Sequence, residues 1–357
     1  MATNSRHIAF PLLLVFLALS CENSPTGPES LKDPRTYTWT VDTLAYPGSF
    51  ETRMRQIWGS SPHDVYVVGH NDQAFGKMWH FDGNKWADVK LSTAQGGTIG
   101  GPIDLAGVLG FASNDVWAVG EKIHLDVESS LVIHYDGVRW AEAALPPQGF
   151  LISIWGTSKS DLWVGGVDGV IGHFDGSTWT QRLLDSNLAG LKYPMQITSI
   201  AGFSSNDVYA AAYRPDQVSP VDSTAVYLYH FNGQQWNKTD STIESIGSSL
   251  EFGTILCAVQ SALYSAGGVV SRKEGNRWIR ILDDDYVVRI GGNRTNNLFA
   301  VGGQETVYHY NGVDWKRYEQ FKDPTVFNTG VWTDGREAFV VGTTFNSPSK
   351  TIVLHGK

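Results

Sequence analysis

Seven tryptophans, Trp39, Trp86, Trp140, Trp179, Trp236, Trp278 and Trp315, recur at intervals of 37 to 57 residues, and from Trp86 onward each closes a version of one phrase. It reads HFDGNKW at Trp86, HYDGVRW at Trp140, HFDGSTW at Trp179, HFNGQQW at Trp236, RKEGNRW at Trp278 and HYNGVDW at Trp315. Such a period marks a repeat architecture, in which each unit buries its apolar face only by stacking on the next. Asp-Gly and Asn-Gly between aromatic residues predict a tight hairpin turn, because these dipeptides tolerate the left-handed backbone that short turns require.

A second phrase precedes each turn: IWGSSPHDVYVVG from Ile57, VLGFASNDVWAVG from Val108, IWGTSKSDLWVGG from Ile154, IAGFSSNDVYAAA from Ile200 and IGGNRTNNLFAVG from Ile290. Weaker copies are ILCAVQSALYSAGG and VWTDGREAFVVG. Short apolar runs bounded by turn residues give four strands per unit, lettered A to D from the Ile-Trp-Gly piece to the motif tryptophan. Four-stranded units of this size, stacked radially, build a β-propeller. The expected fold is therefore all-β with seven blades.

The seventh unit ends at Lys357, just where its strand D should begin. The missing strand is predicted at the other end of the sequence, in Tyr37-Thr38-Trp39-Thr40-Val41-Asp42-Thr43-Leu44, which follows no A, B or C strand of its own. Closing the ring this way carries the loop entropy of nearly the whole chain and removes two exposed sheet edges.

Before the repeats, Arg6 and the apolar run HIAFPLLLVFLALS lead to Cys21. That run is too short for a permanent span and has the flanks of a signal peptide. Its ending, Leu17-Ala18-Leu19-Ser20-Cys21, resembles the lipobox of bacterial lipoproteins, which implies a lipid on Cys21 and a cell-envelope address. Glu22 rather than Asp follows the cysteine, so the resemblance favours the outer membrane over the inner. The polar, Pro-containing stretch after Cys21 has nothing to bury and reads as a tether. The expected organisation is a signal peptide over 1–20, a flexible tether over 21–34 and the propeller over 35–357. The one remaining cysteine, Cys257, falls in a strand A and reads as a small core hydrophobe, so no disulfide framework is expected.

Charge narrows the partners. The full chain carries −9 at neutral pH, and loss of Arg6 with the signal peptide makes that −10, which argues against nucleic acid and against adhesion to anionic lipid. His80, His134, His173, His230, His309 and His355 share one repeat position, so a ring spreads them one per blade and they cannot converge on a metal or a substrate. They read as structural. Asp64, Asp115, Asp161 and Asp207, which recur before the B strands, are expected to bond backbone amides of the A–B turn. Phosphate loops, nucleophile elbows and zinc spacings are absent from the sequence.

The WG-x4-DVWAVG…HYDG-x2-W pattern resembles the bacterial envelope propellers of the broad YVTN, Asp-box and photosystem-assembly-factor-like group, over residues 37–357. The Asp-box likeness is partial: Asp175, Gly176, Thr178 and Trp179 fit, but the Ser-x-Asp-x-Gly spacing does not. Such a resemblance speaks to fold and little to function. The favoured reading is a non-catalytic binding or assembly scaffold for an envelope protein or glycan. The alternative is a hydrolase or lyase acting on polysaccharide at the channel mouth.

Loop length points to one working face. The A–B and C–D turns are short, while the B–C loops His70–Lys77, Glu121–Ser130, Tyr213–Thr224 and Thr343–Lys350 and the D–A connections Ser92–Pro102, Asp185–Gln196, Asp240–Ser249 and Tyr318–Asn328 are long. Phe75, Tyr193, Tyr213, Arg214 and Phe345 are the candidate contact residues there. Asp126, Glu128, Asp216, Asp222 and Asp283 to Asp285 offer oxygen ligands of the kind calcium takes, but they read first as a solvated acidic rim, and no cofactor is expected.

Overall fold

The structure, a computed structural model, describes residues 31–357 except 124–128, 145, 186–193, 217–222 and 245–250. Residues 32–357 form one compact unit of seven four-stranded antiparallel sheets. Blade 1 spans residues 52–88, with strands Thr52–Ser61, Asp64–Asn71, Met78–Phe81 and Trp86–Asp88. Blades 2 to 6 span 103–142, 151–183, 196–244, 255–283 and 287–317, each with its strands in chain order. Blade 7 takes A, B and C from Val326–Thr333, Ala338–Thr344 and Thr351–Gly356, and its strand D is Trp39–Leu44, paired antiparallel from Trp39↔Gly356 to Leu44↔Thr351. The protein is thus a seven-bladed β-propeller closed by its N-terminal strand.

The segment before that strand is fastened as well. Residues 34–36 form one 3₁₀ turn capped by Asp33, and Arg35 reaches Asp314 of blade 6 at 2.7 Å. Tyr318 donates its hydroxyl to the carbonyl of Pro34 at 2.8 Å, so the last residues of the expected tether already belong to the ring.

Each repeated phrase has a packing reason. In the Asp-Gly and Asn-Gly turns the side-chain Oδ1 accepts the two following amides, as Asp82 does from Asn84 and Lys85, both at 2.9 Å, while Gly83 takes a φ of 91° that a side chain would resist. The motif tryptophan tilts over the aromatic residue just before the turn: Trp179 on Phe174 at 5.0 Å between ring centroids and Trp315 on Tyr310 at 4.9 Å. In the Ile-Trp-Gly phrase the tryptophan of one blade packs against the glycine of the next. A Cβ at Gly110 would enter the Trp58 ring, one at Gly202 would enter Trp155, and one at Gly59 would press on Trp332 across the closure. Only glycine lets adjoining sheets approach this closely.

The recurring acid and histidine form a unit that the sequence reading split in two. Asp64, Asp115, Asp161 and Asp207 do not serve the turn amides; each accepts from the histidine of its own blade, His80 at 2.7 Å and His134, His173 and His230 at 2.8 Å. The ring of that histidine stacks on the strand-B aromatic, as His134 does on Trp117 at 4.0 Å. Since His and Asp sit across one antiparallel pair at half-buried positions, a charge-assisted bond satisfies both more strongly than a turn amide would satisfy the acid alone. Blade 6 substitutes Asn297 with His309 and blade 7 substitutes Glu337 with His355; blade 5 has Ala262 and Arg272 in the two places.

Candidate functional site

The A strands line a central channel whose cavity measures about 310 Å³ and draws residues from all seven blades. In six of the seven A strands a bulge interrupts the register near the start, at Arg55, Ala106, Ile152, Thr198, Val288 and Thr329. A bulge breaks the local alternation of faces and re-aims side chains. Bulged hydroxyls are used to stitch blades together: Thr198 donates to the carbonyl of Thr254, just ahead of the first strand of blade 5, and Thr329 to that of Met54 in blade 1, each at 2.8 Å.

Two arginines occupy this wall. Arg289 donates its Nε to the carbonyl of Thr329 at 2.9 Å, and burial pushes its guanidinium down to about 10. Arg55 lies two blades further on and holds its Nη2 3.8 Å from Asp104. The cavity lining contains no carboxylate. Register places both arginines nearer the B–C and D–A end: Met54 opposite Gly69 and Val287 opposite Gly302 lie close to where the B strands end, whereas the A–B turns follow Ser61 and Arg294.

Behind Arg55 the top of blades 1 and 2 carries a buried polar cluster. Asp104 accepts from His70 Nδ1 at 2.7 Å and from Lys77 Nζ at 3.0 Å, and Lys77 also donates to the carbonyl of Asn71. Burial alone would raise the Asp104 carboxyl, but His70 and Lys77 together outweigh it and hold it below the usual range. Asp104 is therefore already satisfied, and its residual pull on Arg55 is that of a charge beyond hydrogen-bond reach.

The residues chosen from the sequence are scattered. Phe345 is 67% exposed on the blade 7 B–C loop, with its ring 6.1 Å from Phe327. Phe75 is half-buried against Tyr46 at 5.9 Å. Tyr213 and Arg214 are not loop residues at all: strand B of blade 4 continues to Asp216, with Tyr213 opposite Val226 and Arg214 opposite Ala225. Strand D of that blade likewise runs to Glu244, through half of the D–A connection expected from Asp240. A polar run stays in strand when its partner does, and Ser223 and Thr224 supply that partner. Tyr193 and Cys21 lie outside the described residues, as do Asp126, Glu128 and Asp222. Asp284 accepts from the Tyr308 hydroxyl and the Tyr286 amide, at 2.8 and 2.9 Å, so it is engaged within the protein. Among the described residues no group of three or more His, Cys, Asp or Glu side chains is arranged to hold a metal.

Sequence reasoning missed Arg55 and Arg289. Aligned on the Ile of the strand-A phrase, the two preceding positions read Arg-Gln, Ala-Gly, Ile-Ser, Thr-Ser, Val-Arg and Thr-Gly before Ile57, Val108, Ile154, Ile200, Ile290 and Val331. A guanidinium at a position otherwise small or neutral was the signal.

No protein-family model matches the chain, and no curated protein does. Among solved structures, YCF48 from Cyanidioschyzon merolae superposes with a TM-score of 0.58 over 88% of this chain and 98% of its own, at 13% identity. At that identity the likeness concerns the propeller fold.

Proposed function

We propose that the chain is a lipid-anchored binding or assembly scaffold of a bacterial cell envelope, working through its B–C and D–A face. The observation that carries this is the asymmetry of the ring. On that face stand the longer B–C connections of blades 1, 2, 4 and 7, and three of its aromatic residues are exposed, Phe50 at 69%, Phe345 at 67% and Tyr286 at 47%. The opposite face carries uniformly short turns closed on their own amides. The opposite face also exposes apolar side chains, Val138 at 85% and Val313 at 86%, but no aromatic residue among those described is exposed there. Aromatic rings held out to water on a rigid scaffold are an ordinary means of capturing a protein or a glycan. Propellers commonly serve as binding platforms, which agrees with this reading. A retaining or inverting glycoside hydrolase would ordinarily set paired carboxylates across a pocket, and the channel lining contains none.

The address rests on the lipobox-like ending at Cys21 and favours the outer membrane. No helix among the described residues is long and apolar enough to cross a membrane. Detergent-phase partitioning of the native chain and of Cys21→Ala tests the anchor: the variant should move to the aqueous phase, and equal partitioning would rule lipidation out. For the face, replacing 123–128 and 217–222 with short turns should leave stability within about 1 kcal/mol, since changing the length of a connection costs little, yet abolish capture of partners from solubilised envelope. Capture that persists there but fails after changes at the Asp-Gly turns would move the working face to the other side.

A further inference from the structure

We propose that the central channel is a binding site for a small molecule carrying one oxyanion, a carboxylate or a phosphate, held at Arg289 and flanked by Arg55. Arg289 is a cation that cannot shed its charge near neutral pH, and it is set in the wall of a cavity without a counter-ion. Of its donors only Nε is used within the protein, on the Thr329 carbonyl at 2.9 Å. The Nη groups make no hydrogen bond or ion pair to any described residue, although a guanidinium half-buried in a channel wall ordinarily gains an acceptor to offset its partial desolvation. The fork geometry that remains is the one that takes an oxyanion through two parallel bonds.

The second cation is placed to share that load. Thr329, which accepts from Arg289, itself donates to Met54 at 2.8 Å, so Arg289, Thr329 and the Met54–Arg55 step form one continuous stretch of wall across blades 6, 7 and 1. Asp104 holds Arg55 in a long ion pair at 3.8 Å, but its hydrogen bonds go to His70 and Lys77, so the Arg55 donors are not taken up by it. Gln56 adds a donor: its Oε1 accepts from the Ile57 amide, which leaves the side-chain NH₂ for a ligand in the same lining. The remaining surface is apolar or hydroxylic, with Val108, Ile154, Ile200, Ile290, Ser153 and Thr198 among it. A cavity of about 310 Å³ lies at the small end of ligand pockets, which suits a single sugar acid or a small phosphate and excludes a polymer from the interior. The chain as a whole carries −9, so this cationic interior is a local exception and owes nothing to a general basic surface.

The test is isothermal titration of the full-length protein in neutral detergent with glucuronate, with inorganic phosphate and with glucose as the uncharged control. Saturable binding of glucuronate or phosphate is expected, weakening as sodium chloride is raised, and glucose should bind at least tenfold more weakly. Glucuronate alone would mark a carboxylate site, phosphate alone a phosphate site, and both a general oxyanion site. Arg289→Gln should raise Kd about 10- to 100-fold, the loss of one charge-assisted fork. Because Arg289 also ties blades 6 and 7, Arg55→Gln serves as the second variant: it removes no hydrogen bond between blades, only the 3.8 Å ion pair with Asp104, and should raise Kd about 3- to 10-fold. The proposal is overturned if neither anion binds, if glucose binds as tightly, or if Arg55→Gln and folded Arg289→Gln keep the native affinity. It stands apart from the envelope reading, since loop replacement on the outer face leaves this titration untouched.

Discussion

Blade 7 keeps the acid–histidine pair, Glu337 with His355 at 2.5 Å, but draws its outer strand from a segment more than 300 residues away in sequence. Blade 5 has all four strands in line yet holds Ala262 where the acid should be and Arg272 where the histidine should be. Both are complete four-stranded sheets. The difference separates two things that the repeat presents together: continuity of chain is dispensable if the strand can return, and the polar pair is dispensable if its two halves are lost together. What neither blade lacks is the outer tryptophan over an aromatic bed, Trp39 on Phe321 at 5.2 Å and Trp278 on Phe252 at 4.9 Å.

The comparison breaks most readily at Trp39. Its ring meets Tyr318 at 5.4 Å and Phe299 at 6.5 Å as well as Phe321, and so clamps the returning strand to blade 6. Trp39→Ala should cost about 3 to 5 kcal/mol, the range for deleting a large core aromatic. Chemical denaturation measures it; a loss below about 1 kcal/mol would mean that the closure is held by backbone pairing alone.

Blade 6 sharpens the comparison because it has half of the device. His309 is 1% exposed and faces Asn297 rather than a carboxylate, at 3.0 Å. Burial, with the Arg35 charge adding to it, pushes the imidazole down to about 4. The unfolded chain takes up the proton near pH 6.5 and the folded chain only near 4, so stability is full above the first value and is lost as the pH falls toward the second. The slope approaches about 1.4 kcal/mol per pH unit, or roughly 3 kcal/mol across the window. Asn297→Asp supplies the missing charge, raises the folded value and should flatten this loss in urea titrations between pH 4.5 and 7.5. Parallel pH profiles for the two proteins would show that burial of His309 is not what drives the acid limb.

In blade 7 the intact pair predicts a smaller effect. Glu337→Ala leaves His355, 6% exposed, without its acceptor, which should cost about 1 to 3 kcal/mol. Glu337→Gln, which keeps an acceptor, should recover most of that. Equal losses in the two variants would assign the role to the Thr333 bond with the Glu337 backbone, which both retain.

How much of this was readable beforehand follows from which interactions are local. The turn, the strand order and the returning strand each leave a mark within about ten residues, so Asp82-Gly83, Trp86 and Tyr37–Leu44 disclosed blades and closure. The Asp–His pair spans 12 to 23 residues across a sheet, so each partner's repetition was visible but their meeting was not. Arg55 and Arg289 meet one cavity only because seven A strands converge on the axis, and convergence in a ring has no sequence period. Tyr213 and Arg214 misled for the opposite reason: a polar composition suggested a loop where a partner strand of equal length kept the ladder going.

The finest test of the comparison is to give blade 5 what it lacks. Arg272 is bound to Glu274 beside it on the surface, and Ala262 lies half-buried at the edge of the cluster formed by Tyr264 and Val270. Ala262→Asp alone places a carboxylate there without a histidine to bond it, though Arg272 is near enough in register to relieve part of the cost, since its neighbour across the ladder is Tyr264. Arg272→His alone gives up an exposed ion pair, worth well under about 1 kcal/mol. If acid and histidine act as a unit, the double variant should be more stable than the sum of the singles by about 0.5 to 1.5 kcal/mol, with net stability close to that of the native chain. The added imidazole should also titrate above its value in Arg272→His alone, because the new carboxylate favours the protonated ring, and NMR of the histidine ring protons reads this directly. Simple additivity, with no shift in that titration, would mean that the stacked histidine rather than its acid is what the other six blades preserve.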